Sequence, residues 1–264
     1  MTQALIFGAL TGWVSGLFIT VYLHRSIAHQ ALELHPVVAH VMRFWLWLAT
    51  GTDSRRWAAV HRKHHASVDR VGDPHSPAIE GIGAIFFFGY FFYRRAFRDE
   101  ALVEKYGFGC PNDRLERLLY GRFRAGGLLL LLSFDVALFG LGPGLVAFIT
   151  NCLWVPFWAI SVINGLAHFV GYRNYDTRDA SRNLWPVALL VAGEELHNNH
   201  HRWPRSARFS AKTWEFDPGW LVIRSLSALG LARDLWLPED KLPHGGEASA
   251  QTSTVVVGTT FNEE

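Results

Sequence analysis

The chain has 264 residues, half of them hydrophobic, and a formal net charge of only +2. This balance gives no support to nucleic-acid binding, which needs a concentrated basic surface. Two cysteines, Cys110 and Cys152, lie far apart in the sequence and exclude a disulfide framework and a thiolate zinc or iron–sulfur site. The 11 tryptophans and 19 phenylalanines suit a protein with much interfacial and lipid-facing surface.

Three membrane spans are predicted from the apolar runs. The first covers residues 4–23, which lack the basic start and the small-residue cleavage site of a signal peptide and are long enough to cross a bilayer. The other two, residues 126–141 and 144–163, are predicted to form a helical hairpin around a tight turn at Gly142–Gly144. The first helix of this hairpin is short for a crossing and carries Asp135, which we expect to face the protein interior.

The basic residues predict the orientation of these spans. None of the 25 lysine and arginine residues lies within the predicted spans, and all of them fall in two segments, 24–125 and 164–242. By the positive-inside rule both segments are cytoplasmic, which three crossings satisfy. The prediction is therefore an integral membrane protein whose two polar segments share the cytoplasmic face.

Two further apolar stretches are predicted to lie at the membrane interface. Residues 35–51 carry Arg43 in their middle, and a crossing there would put His24 and His61 on opposite faces of the membrane. Residues 82–93 are too short to cross and are followed at once by two arginines. The sequence thus predicts one all-α membrane domain over residues 1–242, and a small, polar tail over 243–264 that we expect to be disordered.

Three histidine boxes stand out: "HRSIAH" at 24–29, "HRKHH" at 61–65 and "HNNHH" at 197–201. The last two share the spacing H-x-x-H-H, and residues i, i+3 and i+4 of a helix lie on one face. Each is therefore expected to aim three imidazoles at one point, whereas the five-residue spacing of the first box requires the helix to end or bend. The predicted ligands are His24, His29, His61, His64, His65, His197, His200 and His201.

Eight imidazoles exceed the needs of one metal ion, so two metal ions are implied. Imidazole suits iron, zinc, copper and nickel, and the ligand type alone does not choose among them. His168 lies just past the third span, four residues after Asn164, and on a continued helix both side chains point the same way. The remaining histidines have no such companions and are read as surface or core residues: His35, His40, His75 and His244.

The boxes, their order and the apolar hairpin between the second and third resemble the integral-membrane fatty acyl desaturases over about residues 5–240. "RRWAAVHRKHHASVDRVGDPHSP" is similar to the segment around the family's second box. "NGLAHFVGYRNYD" and "GEELHNNHHRWP" are similar to its region from the last span to the third box. Among relatives the likeness is greatest to the stearoyl-CoA-type Δ9 group. It implies a cytoplasmic histidine-rich cap with two non-haem iron ions, His168 as a ninth ligand, and Asn164 holding a metal-bound water.

The resemblance also implies the reaction. It is the O2-dependent insertion of a cis double bond, at Δ9, into a saturated acyl chain carried by coenzyme A, acyl carrier protein or a phospholipid. The electron donor would be a separate ferredoxin, a cytochrome b5-like protein or a flavin reductase, because no carrier domain is fused. The sequence also departs from the animal members by lacking their extra N-terminal span. Both differences favour a bacterial cytoplasmic membrane enzyme.

Other residues permit two readings each. Three glycines recur every four residues in the first span and indicate close helix packing, with an acyl tunnel as the alternative: Gly8, Gly12 and Gly16. Several arginines near the boxes suit a carrier's phosphates or an acidic redox partner, or are ordinary charge beside anionic lipid: Arg25, Arg55, Arg56 and Arg62. Polar residues near the boxes are candidates to orient the imidazoles or are simply solvated: Asp69, Asp73, Glu194, Glu195, Asn198 and Asn199.

Two other functions compete with desaturation. A diiron membrane hydroxylase, acetylenase or carotenoid-modifying enzyme uses similar boxes, and the details around Asn164, His168 and the third box favour desaturation over it. A metal transporter would need ligands along a path near the bilayer midplane. Here the boxes share one predicted face and Asp135 is the only ionisable residue in the spans, which disfavours transport.

Overall fold

The computed structural model describes residues 1–238, so the predicted tail 243–264 and the end of the predicted domain 1–242 lie outside the described part. The described residues are predominantly helical, as predicted. The α-helices are α1 (Thr2–Phe18), α2 (Pro36–Thr50), α3 (Ser54–Ala66), α4 (Pro77–Glu80), α5 (Ile82–Phe97), α6 (Glu100–Tyr106), α7 (Arg124–Phe139), α8 (Leu141–Val155), α9 (His197–Arg202) and α10 (Pro218–Ala228). Three π-helical segments, Ile19–Ala28, Glu116–Tyr120 and Pro156–Gly165, a 3₁₀ turn at Leu166–His168 and two short antiparallel strands, β1 (Glu33–Leu34) and β2 (Ala232–Arg233), complete the elements.

Two helical stretches are long and apolar enough to cross a membrane, Thr2–Ala28 and Leu141–His168. The first is α1 continued by a π-helical segment, and the second is α8 continued in the same way and then by the 3₁₀ turn. Both are longer than the predicted spans 4–23 and 144–163. The predicted all-α membrane fold is confirmed, whereas α7, with 16 residues, is shorter than a crossing normally requires. The number of crossings therefore stays a prediction.

Gly8 and Gly12 bring α1 into close contact with α8. A Cβ atom at Gly8 would overlap the carbonyl oxygen of Ala147, and one at Gly12 would overlap the side chain of Trp154. At Gly16, by contrast, a Cβ atom would meet nothing within 4 Å. The packing interpretation thus holds for Gly8 and Gly12, for which the predicted role in a tunnel is wrong.

The hairpin between α7 and α8 turns earlier than predicted. Gly140, with a φ of 81°, forms the connection, and α8 already begins at Leu141. Pro143 lies in the first turn of α8, where its missing N–H costs no intrahelical hydrogen bond. The predicted turn at Gly142–Gly144 is therefore wrong. Asp135 is only 1% exposed, in agreement with the prediction that it faces the interior.

The two stretches predicted to lie at the interface are both helices. α2 buries one face, including Met42 and Leu46, and exposes the opposite face, including Val37 and Phe44. α5 exposes three phenylalanines, Phe87, Phe88 and Phe91. Large exposed apolar side chains next to buried ones are typical of helices that lie along a bilayer surface.

We expect Gly12→Ala to lower the melting temperature of the protein in detergent. Alanine improves helix propensity by about 1 kcal/mol. Overpacking against Trp154 should nonetheless outweigh this gain, because such insertions typically cost about 1–3 kcal/mol. Gly16→Ala is the matched control and should leave the melting temperature unchanged or raise it. Equal melting temperatures for the two variants would contradict the packing role of Gly12.

Candidate metal centre

The structure divides nine histidines into two clusters. In each cluster the potential ligand nitrogens all lie within 4.8 Å of one another. The first cluster contains His24, His29, His61, His65 and His200, and the second contains His64, His168, His197 and His201. The prediction that each H-x-x-H-H box aims at one point is therefore wrong, because both boxes contribute to both clusters. Each cluster has enough ligands to hold one metal ion.

The ring nitrogens within a cluster are spaced as metal ligands are. The Nε2 atoms of the first cluster are separated by 3.0 Å between His24 and His200, 2.8 Å between His29 and His61, and 2.9 Å between His65 and His200. Two imidazole nitrogens bound at about 2.1 Å and at right angles around a metal lie about 3.0 Å apart.

The second cluster shows the same spacing and two unpaired Nε2 atoms. The Nε2 atoms of His168 and His197 are 3.0 Å apart. The Nε2 atoms of His64 and His201 are buried and have no hydrogen-bond partner among the described residues. Buried polar atoms are rarely left unpaired in proteins, so the donor set fits a bound cation.

A π-helical segment brings the two histidines of the first box together. The backbone N–H of His29 donates to the carbonyl oxygen of His24 at 3.0 Å, an i to i+5 hydrogen bond. This wider turn places the two ring centroids 4.9 Å apart. The helix ends at Ala28, and an end was one of the two predicted alternatives. The π-helical winding before this end is what brings the two imidazoles together.

Four of the nine histidines have a carboxylate hydrogen-bonded to Nδ1. A histidine whose Nδ1–H donates to a carboxylate keeps its Nε2 lone pair free for a metal and becomes a stronger ligand. The pairs are His24 with Glu194 at 2.6 Å, His64 with Asp73 at 2.9 Å, His168 with Asp69 at 2.9 Å, and His201 with Asp179 at 3.2 Å.

Three of these carboxylates were among the sequence candidates, and Asp179 was missed. Asp179 lies 22 positions before its partner His201 and belongs to no box, so no local spacing could have revealed it. Glu195, the remaining acidic candidate, contacts no imidazole. Its carboxylate instead accepts backbone hydrogen bonds from Leu190, Val191 and Gly193.

Burial favours the neutral form of five imidazoles that lie outside the membrane spans. Desolvation, followed by repulsion from neighbouring imidazoles, lowers the pKa of five histidines well below the usual range: His29, His61, His65, His197 and His200. Burial alone would raise the pKa of Asp73, but the attraction and hydrogen bond of His64 lower it to about 2. Neutral rings beside ionised carboxylates are the protonation state that metal binding needs.

The two asparagines of the third box fix the helix and touch no imidazole. The side-chain amide of Asn199 donates to the carbonyl oxygen of Phe209 at 2.9 Å and to Oε2 of Glu215 at 2.8 Å. The amide of Asn198 donates to the carbonyl oxygen of Tyr175 at 3.1 Å. α9 has only six residues, too few to be stable alone, so these bonds to the surrounding loops hold its histidines in place.

Arg25, the residue after the first histidine, is completely buried. Its Nη2 atom lies 2.9 Å from Oδ1 of Asp217, and its guanidinium lies 3.7 Å from the ring centroid of Phe209. The predicted contact between Arg25 and a carrier or redox partner is therefore wrong. A buried, paired charge of this kind fixes the relative positions of the first box and the segment that follows the third.

Arg62 and Arg56 also make internal contacts. The guanidinium of Arg62 donates to two backbone carbonyl oxygens within the first box, those of Ile27 at 2.7 Å and Ala28 at 2.9 Å. Arg56 donates to the carbonyl oxygen of Phe97 and to Glu100. Of the four arginines, only Arg55 is exposed. It therefore remains the candidate for the predicted contact with a carrier or a redox partner.

A cavity of about 260 Å³ opens from the clusters and follows α8. At the metal end it is bordered by His24, His61 and Asn164, and at the far end by Asn151 and Cys152. Its middle is lined mainly by apolar and aromatic side chains, among them Trp57, Val60, Tyr93, Ile160 and Ile163. Gly16 also lines this cavity, so the tunnel interpretation fits that glycine alone of the three.

His75 is a site residue that the sequence reasoning passed over. It is 2% exposed, its ring stacks on His64 with centroids 4.6 Å apart, and it borders the cavity. The signal was available, because His75 follows Asp73 within the segment that resembles the family's second box. Of the other histidines, His35 caps α2 and His40 is exposed, as predicted, while His244 lies outside the described residues.

Comparison with known proteins agrees with this geometry. The model of the family described as "Fatty acid desaturase" matches residues 2–221. The chain is 34% identical to Delta-9 acyl-lipid desaturase 1 of Arabidopsis thaliana over 86% of this chain and 73% of that protein. It is 33% identical to Acyl-CoA 5-desaturase AL21 of Anemone leveillei over 86% of this chain and 70% of that protein. Two histidine clusters at the mouth of an apolar cavity thus have their explanation: the chain belongs to the fatty acid desaturase family.

Proposed function

We propose that this fatty acyl desaturase inserts a cis double bond at Δ9 of a saturated acyl chain, using two iron ions, dioxygen and an external electron donor. The observation that carries the proposal is the pair of imidazole clusters at one end of an apolar cavity. The names of the relatives support the position, since several are Δ9 desaturases. Because those names include both an acyl-lipid and an acyl-CoA enzyme, the acyl chain is the shared element of the substrate.

The reaction demands an oxidant that no side chain provides. When bound, the two iron ions supply the reductive activation of dioxygen. Overall, dioxygen accepts four electrons and four protons and leaves as two waters. Two electrons and two protons come from the CH2–CH2 unit, two electrons come from the donor, and two protons come from solvent.

The chain's own residues bind, orient and exclude water. The nine histidines would hold the metal ions, and a carboxylate on Nδ1 fixes the tautomer and direction of four of these rings. Asn164 is proposed to hold a water ligand, since it borders the cavity beside His75 and His197. The apolar walls of the cavity align the acyl chain along α8 and keep bulk water from the reacting carbons.

The location and partners follow from charge and exposure. Two helices long enough to cross a membrane support membrane association, and the basic segments support an active site on the cytoplasmic side. The membrane is proposed to be a bacterial cytoplasmic membrane. The electron donor is proposed to be a ferredoxin, a cytochrome b5-like protein or a flavin reductase. The exposed Arg55 is the arginine proposed to meet this donor or the phosphates of an acyl carrier.

Expression in a host that lacks an aerobic desaturase should produce a new monounsaturated fatty acid. Gas chromatography–mass spectrometry with double-bond location is the measurement. We expect a Δ9 product from the unchanged chain and from His40→Ala, because His40 is exposed and outside both clusters. His64→Ala should give none while the protein stays in the membrane. A hydroxylated or acetylenic product would contradict desaturation, and full activity of His64→Ala would contradict the metal assignment.

We expect Asp179→Asn to weaken iron binding by about 10- to 100-fold, the usual effect of removing a residue that orients a metal ligand. Asp179 holds Nδ1 of His201, whereas Asp176 in the same loop is fully exposed. Asp176→Asn is therefore the control. Iron bound per purified chain, measured against increasing chelator, should separate the two variants. Equal retention would show that Asp179 does not support the metal site.

Filling the far end of the cavity should shorten the acyl chains that the enzyme accepts. Cys152 borders the cavity, while its neighbour Leu153 is 61% exposed on the outer face of α8. We expect Cys152→Phe to shift the products toward shorter chains and Leu153→Phe to leave their distribution unchanged. The fatty-acid profile measures both. An unchanged profile for Cys152→Phe would show that the acyl chain does not reach this end.

A further inference from the structure

Residues 186–191, between the helix that ends at His168 and the third histidine box, form an apolar loop whose exposed side chains have no part in the proposed reaction. They lie in a stretch, residues 183–193, without a charged residue. The loop exposes three large side chains, with 49% of Val187, 47% of Leu189 and 36% of Leu190 accessible. A soluble surface rarely gathers such residues without a partner.

The loop is attached to the side of α1. The indole Nε1 of Trp13 donates to the carbonyl oxygen of Leu189 at 2.6 Å. Trp13 lies eleven residues before His24, which places it about 15 Å along the helix from the metal end. Leu10 and Ile6, which precede it on the same helix face, are 58% and 55% exposed. The lipid-facing strip of a membrane-crossing helix thus runs directly into the loop.

Four of the loop's five backbone N–H groups, those of residues 188–191, donate to acceptors within the protein. Non-helical backbone is tolerated in a bilayer only where its polar groups find partners inside the protein. The buried carboxylate of Glu195 accepts from the N–H groups of Leu190 at 2.7 Å and Val191 at 3.0 Å. The N–H of Ala188 donates to the carbonyl oxygen of Phe216, and that of Leu189 donates to Val187.

A neighbouring segment extends the same surface. Phe216, which is 41% exposed, is hydrogen-bonded to the loop through its backbone N–H and the carbonyl oxygen of Pro186. Trp214 and Leu221, beside it in the chain, are each 55% exposed. The inner side of the loop faces the cavity that leads to the metal clusters, because Val191 borders this cavity.

We propose that residues 186–191, together with Trp214, Phe216 and Leu221, insert among the acyl chains of the leaflet that borders the cap. The loop is then a lateral wall, with lipid on its outer side and the acyl cavity behind Val191. Continuity with the exposed face of α1 selects lipid as the occupant over a second copy of the chain. The inference rests on membrane association and is independent of the reaction.

Spin-label accessibility in vesicles of phosphatidylcholine and phosphatidylglycerol tests the proposal. The full chain, with Cys110→Ser and Cys152→Ser, would carry a single nitroxide on Leu189→Cys, and its collision rates with dioxygen and with a water-soluble nickel chelate would be compared. Leu130→Cys, on the exposed face of α7, is the lipid control. Val71→Cys is the water control, because Val71 is 90% exposed between charged residues of the cap.

We expect the ratio of dioxygen to nickel collisions at Leu189→Cys to match that at Leu130→Cys and to exceed that at Val71→Cys several-fold. Val187→Cys provides a second position should the first variant fail to fold, and it should behave alike. A ratio at the loop equal to that at Val71→Cys would place the loop in water and overturn the proposal. Shielding from both reagents would also overturn it, because another protein chain would then cover the surface.

Discussion

The whole arrangement depends on packing nine imidazoles, six of them buried, into a small volume. Their nitrogens approach to about 3 Å, as with His29 and His61 at 2.8 Å, where protonated rings would repel one another strongly. Desolvation resolves the conflict for this pair, because it disfavours the charged form and lowers the pKa of both rings. Four of the nine rings also take their orientation from carboxylates. The fold must therefore bring both the rings and the carboxylates to a dry site.

Each histidine box reaches this site by a different structural device. The first box uses a π-helical winding and is anchored by the buried Arg25 and by the guanidinium of Arg62. The second lies on an ordinary α-helix, α3. Its i, i+4 pair, His61 and His65, belongs to the first cluster, whereas His64 belongs to the second. The third lies on a helix of six residues, which depends on the amides of Asn198 and Asn199 for its position. The short helix therefore depends for its stability on hydrogen bonds to the loops around it.

The sequence was sufficient to single out most of the clustered histidines but not their grouping. Eight of the nine lie in the three boxes, and helical spacing relates only the six of the second and third boxes. Which cluster each ring enters depends on how three separate helices meet, so the division of His61 and His65 from His64 could not be read from spacing. The same holds for Asp179, whose partner is distant in the chain, and for Arg25. The charge of Arg25 indicated a surface position, but the side chain is buried and paired with Asp217.

Two adjacent acidic residues before the third box connect the metal site with the membrane-facing wall. Glu194 directs its carboxylate to Nδ1 of His24, where it orients a metal ligand. Glu195 turns to the opposite side and accepts the N–H groups of the loop at 190–193. Both carboxylates are buried, and each is stabilised by the donors that it satisfies. Because the two share one peptide bond, the wall between lipid and cavity cannot shift without disturbing the ring that begins the metal site. The apolar loop and the first histidine cluster are thus linked through the backbone at 194–195.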